Sequence, residues 1–197
     1  RNFWLPEFND YIDWAMNDEP MNWGWWTVGM NNAMAVMMTD ILGVELEYSG
    51  YDAQWFRDRM VANLETYRDN PIYDFNYGWR QEYMPWDPNE SINDLMSGLI
   101  IHSYETWGGE AWLKGFYQSI RNVPPRSGVF AYQESRNNIY QIWSAAAGED
   151  LRDFFVDGLR WNITGEGTSK VHFKYSLADA LAGGNGTFPG TGKSGTS

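Results

Sequence analysis

Apolar residues recur at helical spacing along most of the chain, and runs rich in Gly, Pro, Asn and Asp separate the periodic stretches. The stretch Met21 to Gly43 is apolar around much of its circumference. Val28, Ala35, Met38 and Leu42 recur on one stripe and Met30, Met34 and Met37 on another. This pattern predicts a central buried helix, with Ala35 and Val36 enclosed on every side and Gly43 as its C-cap. Asn31, Asn32 and Asp40 interrupt the apolar run, so it falls short of the roughly 18 uncharged residues of a membrane span. Phe3 to Trp14 forms a ragged stripe for a short helix ending near Met16, and the Asn17 to Asn22 segment reads as a turn. Asp52 to Tyr67 is amphipathic, with Trp55, Phe56, Met60, Leu64 and Tyr67 on one stripe. Ser91 with Asp94 three residues later reads as a capping box opening a helix to about Trp107. Further helices are expected over Glu110 to Arg121, Ser135 to Ala147 and Asp150 to Leu159. Alternation over Lys170 to Tyr175 predicts one short strand.

The fold class that follows is mostly α. A single helical domain of six to seven helices spans residues 1–165, a short strand and connector 166–181, and a flexible Gly/Ser/Thr tail 182–197. The chain begins at Arg1 without Met, which suggests a processed piece of something longer.

Composition narrows the function. A formal net charge of −12, with no Lys/Arg cluster, excludes a nucleic-acid partner. The chain has no Cys, which excludes disulfides, thiolate catalysis and Cys-ligated metal, and it suits a bacterial exported protein. Aromatic residues make up 17% of the chain, 12 of them Trp, more than a core of this size is expected to absorb. The surplus points to stacking surfaces, and carbohydrate is the neutral flat partner that suits aromatic rings in acidic surroundings. Trp23, Trp25 and Trp26 precede the apolar run, and an irregular aromatic loop carries Trp79, Tyr83 and Trp86. These six residues are the candidate ligand-binding set, with the tryptophan triplet read as an exposed loop leading into the helix.

Candidate chemistry is sparse. The two histidines, His102 and His172, are far apart, and no His-Glu-x-x-His occurs, so the chain contains no complete zincin motif and no metal ligand set is assigned. His102 and Glu105 share one helix face and could share a site; a partly buried histidine bonded to a neighbour is the plainer reading. Asp87, Asn89 and Ser91 alternate oxygens as a calcium loop begins, but the glycine and twelfth-position acid are missing and a helix cap explains them better. Pro189 to Ser194 mimics a phosphate loop without its first glycine or its helix. The carboxylates Glu82, Asp87, Glu105, Glu110, Glu134 and Glu149 carry no spacing that selects a catalytic pair.

Two resemblances concern the order of segments. Trp25-Trp26-Thr27 followed by an Asn-bearing apolar helix, the run Tyr104 to Arg121 and the run Asn137 to Phe155 resemble the enhancin-like, mucin-degrading gluzincin metallopeptidases over most of residues 20–165. That resemblance implies a secreted or cell-surface helical domain acting on glycoprotein. In the position of the family's zinc motif stands Asp18 to Asn22, which keeps only Glu19, and no acid occurs between Gly24 and Thr39 for the third ligand. The resemblance therefore implies either a zinc helix on a missing N-terminal piece or a degenerate, non-hydrolysing relative, with zinc as the family's cofactor; Glu19, and His102 and Glu105 from their shared helix face, are the residual catalytic candidates. Asn22-Trp23-Gly24-Trp25-Trp26 also resembles the Asn-Trp-Trp segment of α/α-toroid polysaccharide lyases, for which Asn22, His102, Tyr104 and Arg136 would supply the metal-free set. A structural module of a bacterial surface protein or filament is the third possibility. Glycan or glycoprotein binding through aromatics is the reading the first two share.

Overall fold

The computed structural model describes residues 23–79, 83–121 and 132–164. The short helix expected near Met16, the turn at 17–22, Glu19, Asn22, His172, the strand at Lys170 to Tyr175 and the tail from 182 lie outside the described residues. The fold is mostly α. In chain order it has α1 (Trp23–Leu42), a two-residue-stranded hairpin β1 (Glu47–Tyr48) and β2 (Tyr51–Asp52), and α2 (Ala53–Asp69). There follow a π-helical turn (Phe75–Trp79), the antiparallel pair β3 (Tyr83–Met84) and β4 (Asp87–Ser91), and α3 (Ile92–Thr106). The described chain closes with α4 (Glu110–Arg121), α5 (Tyr132–Ala147) and a second π-helical turn (Phe154–Gly158).

The helix ends follow local chemistry. Asp52 caps α2 by accepting from the Trp55 amide at 2.8 Å, and Ser91 caps α3 by accepting from Asn93. Gly43 (φ +62°) terminates α1, and the Val44 amide reaches back to the Thr39 carbonyl as in a Schellman cap. Gly148 (φ +73°) ends α5 in the same left-handed conformation.

The buried centre is α3, which packs on α1, α2 and α4, rather than α1 as the apolar run suggested. Every residue from Leu95 to Ile101 is buried. Small residues make this possible: Ser97 donates to the Gly29 carbonyl of α1 at 2.8 Å, and Gly98 lies against the Met60 carbonyl of α2. α1 buries Met30, Ala33, Met34, Val36 and Met37, while Val28, Ala35 and Leu42 on the opposite stripe are exposed. Ala35 is thus not enclosed. The helix satisfies only one face, because its other side borders the hairpin and a cleft.

Most of the described tryptophans serve the core. A run of edge-to-face and stacked rings passes from Tyr67 through Trp79, Trp161, Phe155, Trp143 and Phe116 to Trp112, with successive centroids 4.8–6.3 Å apart. The C-terminal described segment is tied to α2 by Arg160, whose guanidinium donates to the carbonyls of Tyr67, Arg68, Asn70 and Tyr73 and lies over the Tyr67 ring.

Candidate functional site

A cleft of about 390 Å³ opens where α1, the β1–β2 hairpin, α2 and α3 meet. α1 contributes Asn32, Ala35 and Val36; the hairpin and the loop before it contribute Tyr48 and Leu46. α2 supplies Phe56, Arg59 and Met60, and α3 supplies Asp94. The walls are apolar and aromatic and the polar groups converge at one corner, the usual make-up of a small-ligand site.

The hairpin exists because Ser49 (φ +55°) and Gly50 (φ +80°) form a tight turn with both central residues left-handed, which matches strand twist. It lifts Tyr48 and Tyr51 into solvent, at 69% and 45% exposure. Tyr51 stacks on Trp55 at 4.0 Å, Trp55 meets Phe56 edge-on at 5.0 Å, and the Arg59 guanidinium lies 5.3 Å from the Trp55 ring centre. The aromatic platform beside the cleft is therefore Tyr48, Tyr51, Trp55 and Phe56. The dipeptide Ser49-Gly50 between two tyrosines was its signal in the sequence.

The polar corner is an ion cluster. Arg59 donates through Nε and Nη2 to Glu90 Oε2, the first at 2.8 Å, and its Nη2 lies 3.3 Å from Asp94 Oδ2. All three side chains are partly buried. Asn32 and Glu90 also act on the Asp94 carboxyl, the first lowering and the second raising its pKa. Burial pushes the Asp94 carboxyl above the usual aspartate range and Glu90 adds to that; the attraction of Arg59 opposes it without prevailing. Asp94, expected to complete a capping box, instead faces this cluster.

The residues singled out from sequence fall elsewhere. Trp23, Trp25 and Trp26 occupy the first turn of α1 rather than a loop before it, and their side chains lie outside the described ones. Trp79 is fully buried, so its ring cannot stack on a ligand. Trp86 is half-buried against Tyr73 at 4.7 Å and its indole N–H points to Asn63 Oδ1 at 3.4 Å. Tyr83 is exposed on β3. Of the three whose side chains are described, Tyr83 offers a largely free ring, and Trp79, Tyr83 and Trp86 do not line the cleft.

His102 stacks on Phe154 (5.7 Å, 11° between planes) and meets Trp107 edge-on, while Glu105 bonds Arg57, which also holds Asp40. Glu105 is thus committed to an ion pair. Tyr104 lies by Gly109, and Arg136 over the Phe75 ring at 4.7 Å, so the lyase-like residues that are described sit among different neighbours. Asp87 accepts from the Asn89 backbone and side chain in a local turn and Ser91 caps α3, so the calcium-like oxygens are engaged locally. Among the described residues no group of three or more His, Cys, Asp or Glu could hold a metal ion, and no helix is long and apolar enough to cross a membrane. Comparison with family models, with curated proteins and with solved structures finds no match to this chain.

Proposed function

We propose that this chain is a secreted or cell-surface binding module that engages glycan or glycoprotein, and that the ligand's sugar ring enters the cleft beside Tyr48. The observation that carries this reading is the pairing, in one cleft, of aromatic walls (Tyr48, Phe56) with a convergent amide, guanidinium and carboxyl corner (Asn32, Arg59, Asp94). A sugar presents an apolar face and a rim of hydroxyls, and such a cleft answers both: rings cover the face and fixed polar groups orient the rim. The resemblance to enhancin-like metallopeptidases then concerns the helical scaffold and its glycoprotein partner, with no hydrolytic role given to Glu19, His102 or Glu105.

One observation favours the structural-module reading. Val28, Ala35 and Leu42 recur every seventh residue on α1 and are exposed, as a helix face that packs on a neighbouring domain would be.

The test is Tyr48→Ala. Because the side chain is 69% exposed, the variant should keep the parent melting temperature. Retention on mucin or polysaccharide resin should fall about tenfold or more. Unchanged retention, or a parent protein that ignores every glycan on an array, rejects the reading.

A further inference from the structure

The polar corner of the cleft also bears on which sugars it takes. Resting on the glycan reading above, we propose that the cleft selects sugars presenting hydrogen-bond donors, neutral or amino sugars, and turns away uronic-acid and sulfated sugars.

Arg59 is the cation at this corner, and it is already engaged. Its Nε and Nη2 serve Glu90, its Nη2 also approaches Asp94, and its plane lies against Trp55. A guanidinium that binds an anionic sugar normally offers two parallel N–H groups to it. Here that edge is turned toward the protein's own carboxylates. An incoming carboxylate or sulfate would meet Asp94 in the cleft wall, beside an Arg59 already partly neutralised by Glu90. Carboxylates accept through several lone pairs, so Asp94, which lines the cleft, retains capacity for ligand O–H or N–H groups beside Arg59.

The surroundings have the same sign. α1 contributes the neutral Asn32 to the corner. The segment Val44 to Asp52, which brings Leu46 and Tyr48 to the cleft, contains Glu45, Glu47 and Asp52 and no Lys or Arg. The whole chain carries −12, so the long-range field opposes an anionic polysaccharide before it arrives. Burial is the main cause of the upward shift of the Asp94 carboxyl, and the nearby charge of Glu90 adds to it.

The experiment is a glycan array on the full chain at low salt, carrying matched neutral, free-amine and uronate or sulfated forms of several backbones. Neutral or amino forms should bind at least about tenfold more tightly than their acidic counterparts, since like charges at a contact are strongly disfavoured. Glu90→Gln, which releases one face of Arg59, should narrow that gap by strengthening binding of the acidic forms. Equal or preferential binding of acidic glycans overturns the selectivity and leaves the glycan reading standing. An unchanged gap in Glu90→Gln also overturns it, because the corner would not be its source. Binding of no glycan on the array removes both.

Discussion

Gly98 of α3 lies so close to Met60 of α2 that a Cβ added to it would stand 2.1 Å from the Met60 carbonyl oxygen. The obstacle is backbone, which cannot rotate away, and it belongs to the helix that also carries Arg59 into the cleft. An alanine in mid-helix would ordinarily gain about 1 kcal/mol over glycine. Overpacking of this kind costs about 1–3 kcal/mol and sometimes more, so the clash should win. Gly98→Ala should therefore lower the thermal midpoint by several degrees. A midpoint equal to or above the parent's would mean that α2 and α3 are not packed this closely.

The four carbonyls gathered by Arg160 make a second test. They terminate α2 and the loop after it, and no lysine could reach them in the same fork. Arg160→Lys keeps the charge near the negative end of the helix dipole but loses most of the hydrogen bonds. It should cost about 2 kcal/mol, measured by denaturant midpoint, because bonds from a charged donor contribute about 1.5–3 kcal/mol. A midpoint within error of the parent's would show the contact to be incidental.

Stability should respond to pH in opposite senses at two residues. Burial, then Arg68, hold His102 below the ordinary histidine value, and Glu105 and Glu65 only partly offset them. A depressed histidine adds stability that is present above its unfolded pKa and is lost as pH falls through the folded one. His102→Phe, which keeps the stack on Phe154, should flatten the loss of melting temperature between about pH 7 and pH 5. Asp94 is shifted upward by burial, so its contribution is present below the ordinary aspartate range and is lost as pH rises through the raised value. Asp94→Asn should be at least as stable as the parent at neutral pH. Parallel pH–melting curves for the parent and His102→Phe, or a clear loss of neutral-pH stability in Asp94→Asn, would contradict these assignments.

Local signals carried much of the fold. Asp52, Ser91, Gly43 and Gly148 mark helix ends because capping depends on residues adjacent in sequence, and the helices begin or end beside them. Burial was less legible. Ala35 and Val36 are neighbours in one apolar run, yet one is exposed and the other buried, since which stripe faces inward depends on what packs against it. The inward stripe of α1 was settled by another helix, where Ser97 bonds the Gly29 carbonyl and Met96 stands against Gly29. The aromatic surplus misled for the same reason: Trp79 and Trp112 look no different in sequence from surface rings, but their partners Trp161 and Trp143 come from distant segments. The cleft was illegible because Asn32, Tyr48, Arg59 and Asp94 stand on four separate elements, with no spacing to connect them.

Binding at the cleft is tested most directly by mapping backbone amide shifts in two-dimensional NMR while a mucin-derived or neutral oligosaccharide is titrated in. Perturbations should gather on Asn32, Ala35, Tyr48, Phe56, Arg59 and Asp94, the residues that line the cleft. A map centred instead on Tyr77, Tyr83 and Trp86, or no saturable shift with any oligosaccharide, would contradict a sugar site beside Tyr48.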